Sequence, residues 1–348
     1  MVRDSMTTGT PAVTQPARLD IRLRRFGRTD LNVSRFGLGC ARIGGIFQRD
    51  TAEFLNLFSA TLDAGINVFD TADIYSQGES EVLLGRALRR RRDEIVIASK
   101  AGYVLPARRV IVARLKPFVR PLLELIKLRR HHLPGAVRGT LAQDFSPSHL
   151  CRAVEGSLRR LGTDHLDLFQ LHSPPTPVVE SGEWLEALDR LKQEGKIRYY
   201  GISCDSVNGA SAALAHSQVS SIQVPINLLE QGFVELLPRA REQGVAVIAR
   251  ECLANGLLVK DASAIDVEAY SQSPADAALK RSRLDSCRQA AAENGCTLAG
   301  LAIGFVSRLE GVSVSLLGVS RLDQLKGLLA AASACAKQPE PRGIPHWE

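Results

Sequence analysis

Short runs of apolar residues alternate with longer amphipathic stretches along most of the chain. Eight short runs are rich in β-branched residues, which favour strands, and they fall at residues 34–38, 66–69, 94–99, 165–170, 197–202, 221–225, 245–249 and 312–317. The stretches between them repeat apolar residues with helical spacing, most clearly at residues 52–64, 80–90, 147–161, 183–194, 232–243 and 274–294. Strands that alternate with helices in this way predict a parallel sheet with both faces covered.

Two folds fit this alternation, an open doubly wound sheet and a closed barrel. The open sheet favours a G-x-G-x-x-G loop after its first strand, whereas residues 37–42 read GLGCAR and end in arginine. Eight strand–helix units over about 250 residues fit a (β/α)8 TIM barrel better. We therefore predict an α/β fold of this type, with residues 37–39 as a turn of a barrel strand. A hairpin over residues 22–35 is expected to close the bottom of the barrel.

The predicted organisation is one domain with two tails. Residues 1–20 form a disordered polar tail, residues 21–335 form the barrel, and residues 336–348 form a C-terminal tail. Residues 101–144 are surplus to the barrel and are predicted to form a helical insertion after its third strand. The chain has no apolar run of the length of a membrane span, no signal peptide, and seven cysteines without a CxxC pair. We therefore expect a cytoplasmic protein without a disulfide framework.

The net charge of +7 is concentrated in the insertion. Residues 104–138 carry nine basic residues and one acidic residue, so the rest of the chain is close to neutral, which argues against nucleic acid as a partner. Helically spaced apolar residues, interrupted by prolines, predict a basic amphipathic lid over the barrel mouth. Such a lid could bind an acidic substrate, an acidic carrier protein or an anionic membrane surface. A solvated helical hairpin that only aids solubility is an equal alternative.

Catalytic residues of such barrels lie where the strands end, at the C-terminal face. The polar residues at these positions are Asp70, Lys100, Gln170, His172, Ser203 and Gln223, with Tyr75 on the loop after Asp70. An adjacent ammonium lowers the pKa of a phenol, so Lys100, oriented by Asp70, would help Tyr75 to act as an acid. His172 could direct a substrate carbonyl oxygen. This set can protonate a carbonyl that receives a hydride, and the hydride must come from a cofactor.

Each of these residues also has a structural interpretation. Asp70 could cap a turn, and His172 could stabilise the turn that follows it. Their joint occurrence at strand ends favours a site, because a capping aspartate does not require the other residues. The histidines elsewhere have no third ligand at metal spacing, so we predict no metal site. Cys204 could be a reactive thiol or a small buried hydrophobe.

Several separate motifs occur in a fixed order along the chain. They are residues 67–75 (NVFDTADIY), 78–85 (GESEVLLG), 97–100 (IASK), 157–162 (SLRRLG), 167–172 (DLFQLH) and 195–203 (GKIRYYGIS). Together they resemble the aldo-keto reductase family over residues 21–331, apart from the insertion. The resemblance implies an NAD(P)H-dependent oxidoreductase that reduces an aldehyde or ketone, or oxidises the alcohol. It implies Asp70, Tyr75, Lys100 and His172 as catalytic residues, with Tyr75 as the general acid.

The resemblance also implies which residues bind the cofactor. They are Ser203 and Gln223 for the nicotinamide carboxamide, Arg250 at the ring, Leu253, Asn255 and Gly256 for the pyrophosphate, and Gly318, Ser320, Arg321 and Gln324 for the adenosine end. Arg321 favours NADP, and NAD is the alternative. Arg250 departs from the family, in which an aromatic ring usually stacks on the nicotinamide. A cation at that place would disfavour the positively charged oxidised ring.

Two other functions fit the same motifs. One is a biosynthetic reductase that acts on an enone. The other is a cofactor-binding regulatory protein that docks a partner, because the β subunits of potassium channels are similar to reductases with the same four residues. In that case the basic insertion would be the docking surface.

Overall fold

A closed barrel of eight parallel strands forms the centre of the molecule, in a computed structural model that describes residues 23–44, 51–104, 141–260, 265–336 and 343–347. The barrel strands are β3 (Phe36–Gly39), β4 (Val68–Asp70), β5 (Val96–Ala101), β6 (Leu166–His172), β7 (Ile197–Ser203), β8 (Ser221–Pro225), β9 (Ala246–Arg250) and β10 (Val312–Leu317). Each strand pairs with the next, and β10 pairs with β3 to close the barrel. A two-stranded hairpin, β1 (Arg24–Arg25) and β2 (Asn32–Val33), precedes it. The predicted TIM barrel and N-terminal hairpin are confirmed.

Helices cover the outside of the barrel. They are α1 (Thr51–Asp63), α2 (Glu79–Leu88), α3 (Pro147–Leu161), α4 (Thr176–Ser181), α5 (Leu185–Gln193), α6 (Val207–Ala213), α7 (Leu237–Glu242), α8 (Pro274–Glu293), α9 (Leu298–Arg308) and α10 (Leu322–Ala336). Capping residues define several ends: Ser146 accepts a hydrogen bond from the His149 amide at the start of α3, and Gly162 ends that helix with a φ of +67°. The helix predicted over residues 232–243 is shorter, because a 3-10 turn precedes α7.

Two predicted segments fall largely outside the described residues. The polar tail over residues 1–20 lies entirely outside them, and so do residues 105–140 of the insertion. The ends of the insertion, residues 101–104 and 141–144, are described and lie at the C-terminal end of β5. None of the described helices is long and apolar enough to cross a membrane. The six cysteines whose side chains are described are all free thiols.

The bottom of the barrel is closed by apolar side chains of the hairpin. Phe26, Leu31 and Val33 are buried in one cluster with inward-facing strand residues such as Val68 and Ile248. The hairpin is anchored by its backbone, because the Arg28 amide donates to the Gly244 carbonyl at 2.7 Å. This end of the barrel is therefore a dry hydrophobic core.

The first barrel strand, β3, contains a glycine, Gly37, that lies close to side chains of β10. We predicted residues 37–39 as a turn, and this was wrong, because they lie within β3. A Cβ on Gly37 would lie 2.9 Å from Leu316 Cδ2 and 3.0 Å from Val314 Cγ1. Glycine is therefore needed here to make room for the large residues of the neighbouring strand β10, rather than to turn the chain.

The strands place polar side chains at the opposite end. Asp70 is the last residue of β4 and His172 the last of β6, while Lys100 is the penultimate residue of β5. In the strand register, His172 pairs with Ser203 and Ser203 pairs with Gln223. Parallel strands bring these ends together at one mouth of the barrel.

Candidate active site

A buried ion pair lies at the centre of the mouth. The Lys100 side chain is 1% exposed, and its Nζ donates to Asp70 Oδ2 at 2.7 Å and to the Thr71 carbonyl at 2.8 Å. Burial alone lowers the pKa of an ammonium, but the charges of Asp70 and Tyr75 and hydrogen bonds to both raise the pKa of Lys100 above its ordinary value. Lys100 is therefore a charged ammonium in a site from which water is largely excluded.

The second oxygen of Asp70 joins a chain of side chains that crosses the barrel mouth. Gln223 Nε2 donates to Asp70 Oδ1 at 2.8 Å, and Ser203 Oγ donates to Gln223 Oε1 at 3.2 Å. The residues predicted to hold the nicotinamide are thus connected to the predicted catalytic pair. Sequence reasoning placed Ser203 and Gln223 at the mouth, but the link through Asp70 was not predicted.

Tyr75 and His172 complete the group. Tyr75 begins a 3-10 turn after β4, and Lys100 Nζ lies 5.0 Å from the centroid of its ring. The Tyr75 and His172 rings meet edge to face, with centroids 5.7 Å apart at 85°. The structure therefore brings all four predicted catalytic residues together at one mouth.

A second tyrosine, Tyr103, contacts the histidine from another side, and sequence reasoning missed it. Its ring lies edge to face with His172, with centroids 4.9 Å apart at 82°, and it is buried. Tyr103 belongs to the start of the insertion, which we treated as a lid with no part in the catalytic group. Its position three residues after Lys100 was the one signal in the sequence that could have identified it.

A separate acid, Asp73, is partly buried and bonds to the backbone of Lys100. The Asp73 amide donates to the Lys100 carbonyl at 3.0 Å, and Asp73 Oδ1 is buried without a hydrogen-bond partner among the described residues. Burial and the nearby charge of Glu81 raise the pKa of Asp73 to about 8, against the opposing charge of Arg160. Glu81 itself is buried but well bonded, since it accepts from Ser99 Oγ at 2.6 Å and from Arg160 Nε at 2.5 Å.

Arg250 lies at the end of β9, where the family usually has an aromatic ring. Its guanidinium pairs with Asp205 and Glu251 and donates to the Cys204 carbonyl at 3.3 Å. We expected a cation here to disfavour the oxidised nicotinamide. The guanidinium is paired with two carboxylates, which offset its positive charge, so the effect on the nicotinamide stays a prediction.

The loop predicted to cover the pyrophosphate follows Arg250. Within the segment that contains Leu253, the backbone of Asn255 and Gly256 is left-handed, with φ values of +57° and +101°. Asn255 Nδ2 donates to Glu251 Oε2 at 2.9 Å, and Arg42 Nη2 donates to the Asn255 carbonyl at 2.9 Å. The loop is therefore tied both to Glu251, directly after β9, and to Arg42 in the loop after β3.

The residues predicted at the adenosine end follow β10. Gly318 comes directly after the strand, and Gln324 Oε1 accepts from the Ser320 amide at 3.1 Å. Arg321 forms two hydrogen bonds with Asp323, of 2.9 and 2.8 Å, and this pairing raises the pKa of Arg321 and lowers that of Asp323 to about 2. The arginine that favours NADP is therefore already engaged by a carboxylate.

Cys204, next to Ser203, is fully buried. Burial raises the pKa of its thiol to about 12, with a further contribution from the charge of Asp205. Of the two interpretations of this residue, the structure supports the small buried hydrophobe, since the thiolate is the reactive form.

Known proteins are similar to this chain in fold and in sequence. The family model described as the aldo/keto reductase family matches residues 35–340. The chain is 29% identical to the oxidoreductase YqkF of Bacillus subtilis, over 90% of this chain and 92% of the relative, and 31% identical to the NADH-specific methylglyoxal reductase of Escherichia coli, over 67% of each. The holo form of aldo-keto reductase AKR11C1 from Bacillus halodurans is similar in structure, with a TM-score of 0.73, 29% identity, and coverage of 93% of this chain and 95% of that one. The chain therefore belongs to the aldo/keto reductase family and is an oxidoreductase.

Proposed function

We propose that the protein reduces an aldehyde or ketone with NAD(P)H, or oxidises the corresponding alcohol, with Tyr75 as the general acid. The observation that carries this proposal is the buried Lys100–Asp70 pair directly beside Tyr75, with His172 at the edge of the tyrosine ring. A phenol, an ammonium and an imidazole that face one mouth suit the protonation of a carbonyl oxygen.

Each of the four residues has a distinct task in the proposed reaction. Tyr75 donates its phenolic proton to the carbonyl oxygen as the carbonyl carbon is reduced. The Lys100 ammonium stabilises the phenolate that forms, and Asp70 holds the ammonium in place through its 2.7 Å hydrogen bond. His172 donates to the same carbonyl oxygen and fixes the direction of the carbonyl group. In alcohol oxidation Tyr75 acts as the base.

The bound nicotinamide would supply or accept the hydride. Ser203 and Gln223 would hold its carboxamide, the loop with Asn255 would hold the pyrophosphate, and the residues after β10 would hold the adenosine end. Two observations support this fit. Arg250 Nε is a buried donor without a partner among the described residues, and a Cβ on Gly318 would meet no atom within 4 Å, which leaves open space at the end of the strand.

We further propose NADP as the cofactor, with Arg321 as the residue that contacts the 2′-phosphate. An exposed guanidinium pairs well with a phosphate, and Arg321 would exchange its bond to Asp323 for one to the ligand. NAD is the alternative, because Asp323 competes for the arginine and a relative in Escherichia coli is described as NADH-specific.

The proposal is tested by Tyr75→Phe, which removes one hydroxyl from the mouth. We expect kcat for aldehyde reduction to fall by about 10³-fold, while the NADPH dissociation constant from a fluorescence titration stays unchanged. Turnover of Tyr75→Phe at the rate of the unmodified protein would exclude the general-acid role. A protein that binds NADPH tightly and turns over no aldehyde, ketone or enone in a broad panel would instead support the regulatory, partner-docking function.

A further inference from the structure

The chain forms a short antiparallel ribbon immediately after the lysine strand. The Val104 amide donates to the Ala142 carbonyl, and the Asp144 amide donates to the Gly102 carbonyl, both at 2.8 Å. Tyr103 pairs with Gln143 between these bonds. A Cβ on Gly102 would overlap the ring of Phe145, so the ribbon is packed closely at its base. We call these six residues, 102–104 and 142–144, the mouth ribbon.

The mouth ribbon contacts His172 in two independent ways. From one strand, the Tyr103 ring lies edge to face against the imidazole at 4.9 Å. From the other strand, Gln143 Nε2 donates to the Ser173 carbonyl at 2.8 Å and lies 3.5 Å from the His172 carbonyl. Neighbouring residues of the mouth ribbon thus hold both the ring of the histidine and the backbone that follows it.

The backbone held by Gln143 has an unusual conformation. Ser173 has a φ of +55°, in the left-handed region that residues other than glycine rarely adopt. Such a turn persists only where its surroundings fix it. Two bonds do so here: the Ser173 amide donates to the Ser203 carbonyl at 2.9 Å, and its carbonyl accepts from Gln143. The direction in which His172 leaves β6 therefore depends on the mouth ribbon.

The imidazole is also enclosed on two sides by aromatic rings. The Tyr75 ring is nearly perpendicular to it at 85°, and the Tyr103 ring is nearly perpendicular at 82°. An imidazole between two such rings has little freedom to rotate about its side-chain bonds. Tyr75 is a member of the proposed catalytic group, whereas Tyr103 has no role in it.

We propose that Tyr103 and Gln143 are positioning residues, which hold His172 at the angle that lets it donate to the substrate carbonyl oxygen. The inference rests on the proposed function, in which His172 directs that oxygen. Tyr103 acts through its ring and not through its hydroxyl, because the contact with the imidazole is made by the aromatic ring. Gln143 acts through its side-chain amide on the turn at Ser173.

The first experiment compares Tyr103→Leu with the matched control Tyr103→Phe. Leucine removes the ring that encloses the imidazole, and we expect kcat for aldehyde reduction to fall about ten-fold or more with an unchanged NADPH dissociation constant. Phenylalanine keeps the ring and is expected to stay within about two-fold of the unmodified protein. Equal losses in the two variants would overturn the role of the ring, and so would kcat values unchanged in both.

The second experiment asks whether the effect passes through the histidine. In a His172→Gln background, Tyr103→Leu should cause no further loss of kcat, because the side chain that it positions is gone. A residue that only stabilises the fold would cause the same loss in both backgrounds. Losses that multiply in the double variant would therefore overturn the inference.

Gln143→Leu provides a second route if Tyr103→Leu does not fold. It removes the hydrogen bond to Ser173 without touching the ring, and we expect a fall in kcat that is again absent in the His172→Gln background. These outcomes are distinct from failure of the proposed function. If Tyr75→Phe turns over normally, the general-acid role fails; if only the variants of Tyr103 and Gln143 turn over normally, the positioning role alone fails.

Discussion

The two ends of the same barrel interior have opposite chemistry. At the bottom, Phe26 and Leu31 of the hairpin pack on apolar strand residues. At the mouth, the same strands end in Asp70 and Lys100, which are as deeply buried as the hydrophobic residues below them. An apolar layer needs only close packing, whereas a buried charge needs a partner for each of its hydrogen bonds. The comparison indicates that the apolar bottom stabilises the fold, whereas the buried charges at the mouth reduce stability and serve the proposed chemistry.

The strongest test of this comparison removes one partner of the ion pair. In Lys100→Met, Asp70 keeps its bond to Gln223 but loses its ammonium, so a buried charge is left without its ion partner. We expect the free energy of unfolding to fall by about 3–5 kcal/mol and kcat by about 10³-fold or more. Denaturant unfolding and steady-state kinetics measure the two effects.

A double variant separates the two effects. Adding Asp70→Asn to Lys100→Met removes the stranded charge and should recover most of the lost stability, while kcat stays low. If activity recovered together with stability, the ion pair would serve only the fold. That result would contradict the assignment of the proposed chemistry to the mouth and of stability to the bottom.

At the bottom we expect the reverse pattern. Phe26→Ala removes a buried ring from the hydrophobic layer that closes the bottom of the barrel, and it should lower the free energy of unfolding by about 3–5 kcal/mol. The kcat of the folded fraction should not change, because the ring belongs to the layer at the far end of the barrel interior from Tyr75. Leu23→Ala, at an exposed position beside the same hairpin, is the matched control and should cost about 0.5 kcal/mol or less. A fall in the kcat of Phe26→Ala would show that the two ends are coupled.

A smaller effect is expected at the rim of the mouth, where an ion pair is exposed. Arg321→Ala should raise the KM for NADPH about ten-fold and leave the KM for NADH unchanged, because only NADPH carries the 2′-phosphate. Asp323→Asn, which releases the arginine, should lower the KM for NADPH. If Arg321→Ala raises both values equally, Arg321 does not recognise the phosphate, and the proposal of NADP loses its support.

The last prediction concerns stability and the acid Asp73, which is partly buried and whose Oδ1 has no hydrogen-bond partner among the described residues. Its pKa is raised from 3.8 to about 8, mainly by burial, so the folded protein holds a proton there that the unfolded chain releases. This group therefore favours folding at low pH, and its contribution is lost as the pH rises from about 4 to about 8. Asp73→Asn lacks this dependence and should unfold about 2 °C or more higher than the unmodified protein at pH 8.

The matched measurement for Asp73→Asn is made at pH 3, below the ordinary pKa of 3.8, where the unmodified side chain is mostly protonated in both the folded and the unfolded state. The two melting temperatures should then be close to each other. A difference that stays constant between pH 3 and pH 8 would mean that the carboxyl group does not titrate differently in the folded and unfolded states between these values.

The barrel and the strand-end residues could be predicted because they depend on local pattern and on topology. A β-branched run predicts a strand, and parallel strands in a barrel end at one mouth, so Asp70, Lys100 and His172 follow from their position in the chain. The helical stretches named from the sequence do not include α4, α6, α9 and α10. α4 and α6 are six and seven residues long, too short to show a clear helical period.

The features that sequence reasoning missed depend on contacts between distant parts of the chain. Gln143 bonds to Ser173 across 30 residues, and Gly37 of β3 is required by side chains of β10. Neither contact leaves a periodic signal. The compensation of Arg250 by Asp205 is of the same kind, because a charge can be read from the sequence while its partner 45 residues away cannot.

The buried cysteines can be used to detect local opening of the barrel, because a buried thiol reacts with a label only when it becomes accessible to solvent. Cys151 and Cys296 are partly accessible in the folded state, whereas Cys40, Cys204 and Cys252 are enclosed. Cys204 directly follows β7 at the mouth, and Arg250 donates a hydrogen bond to its carbonyl. Because Cys204 is buried, a thiol-specific label can reach it only when that end of the barrel opens locally. The rate at which Cys204 is labelled would therefore report how often the mouth opens, without a substrate, a cofactor or an engineered cysteine.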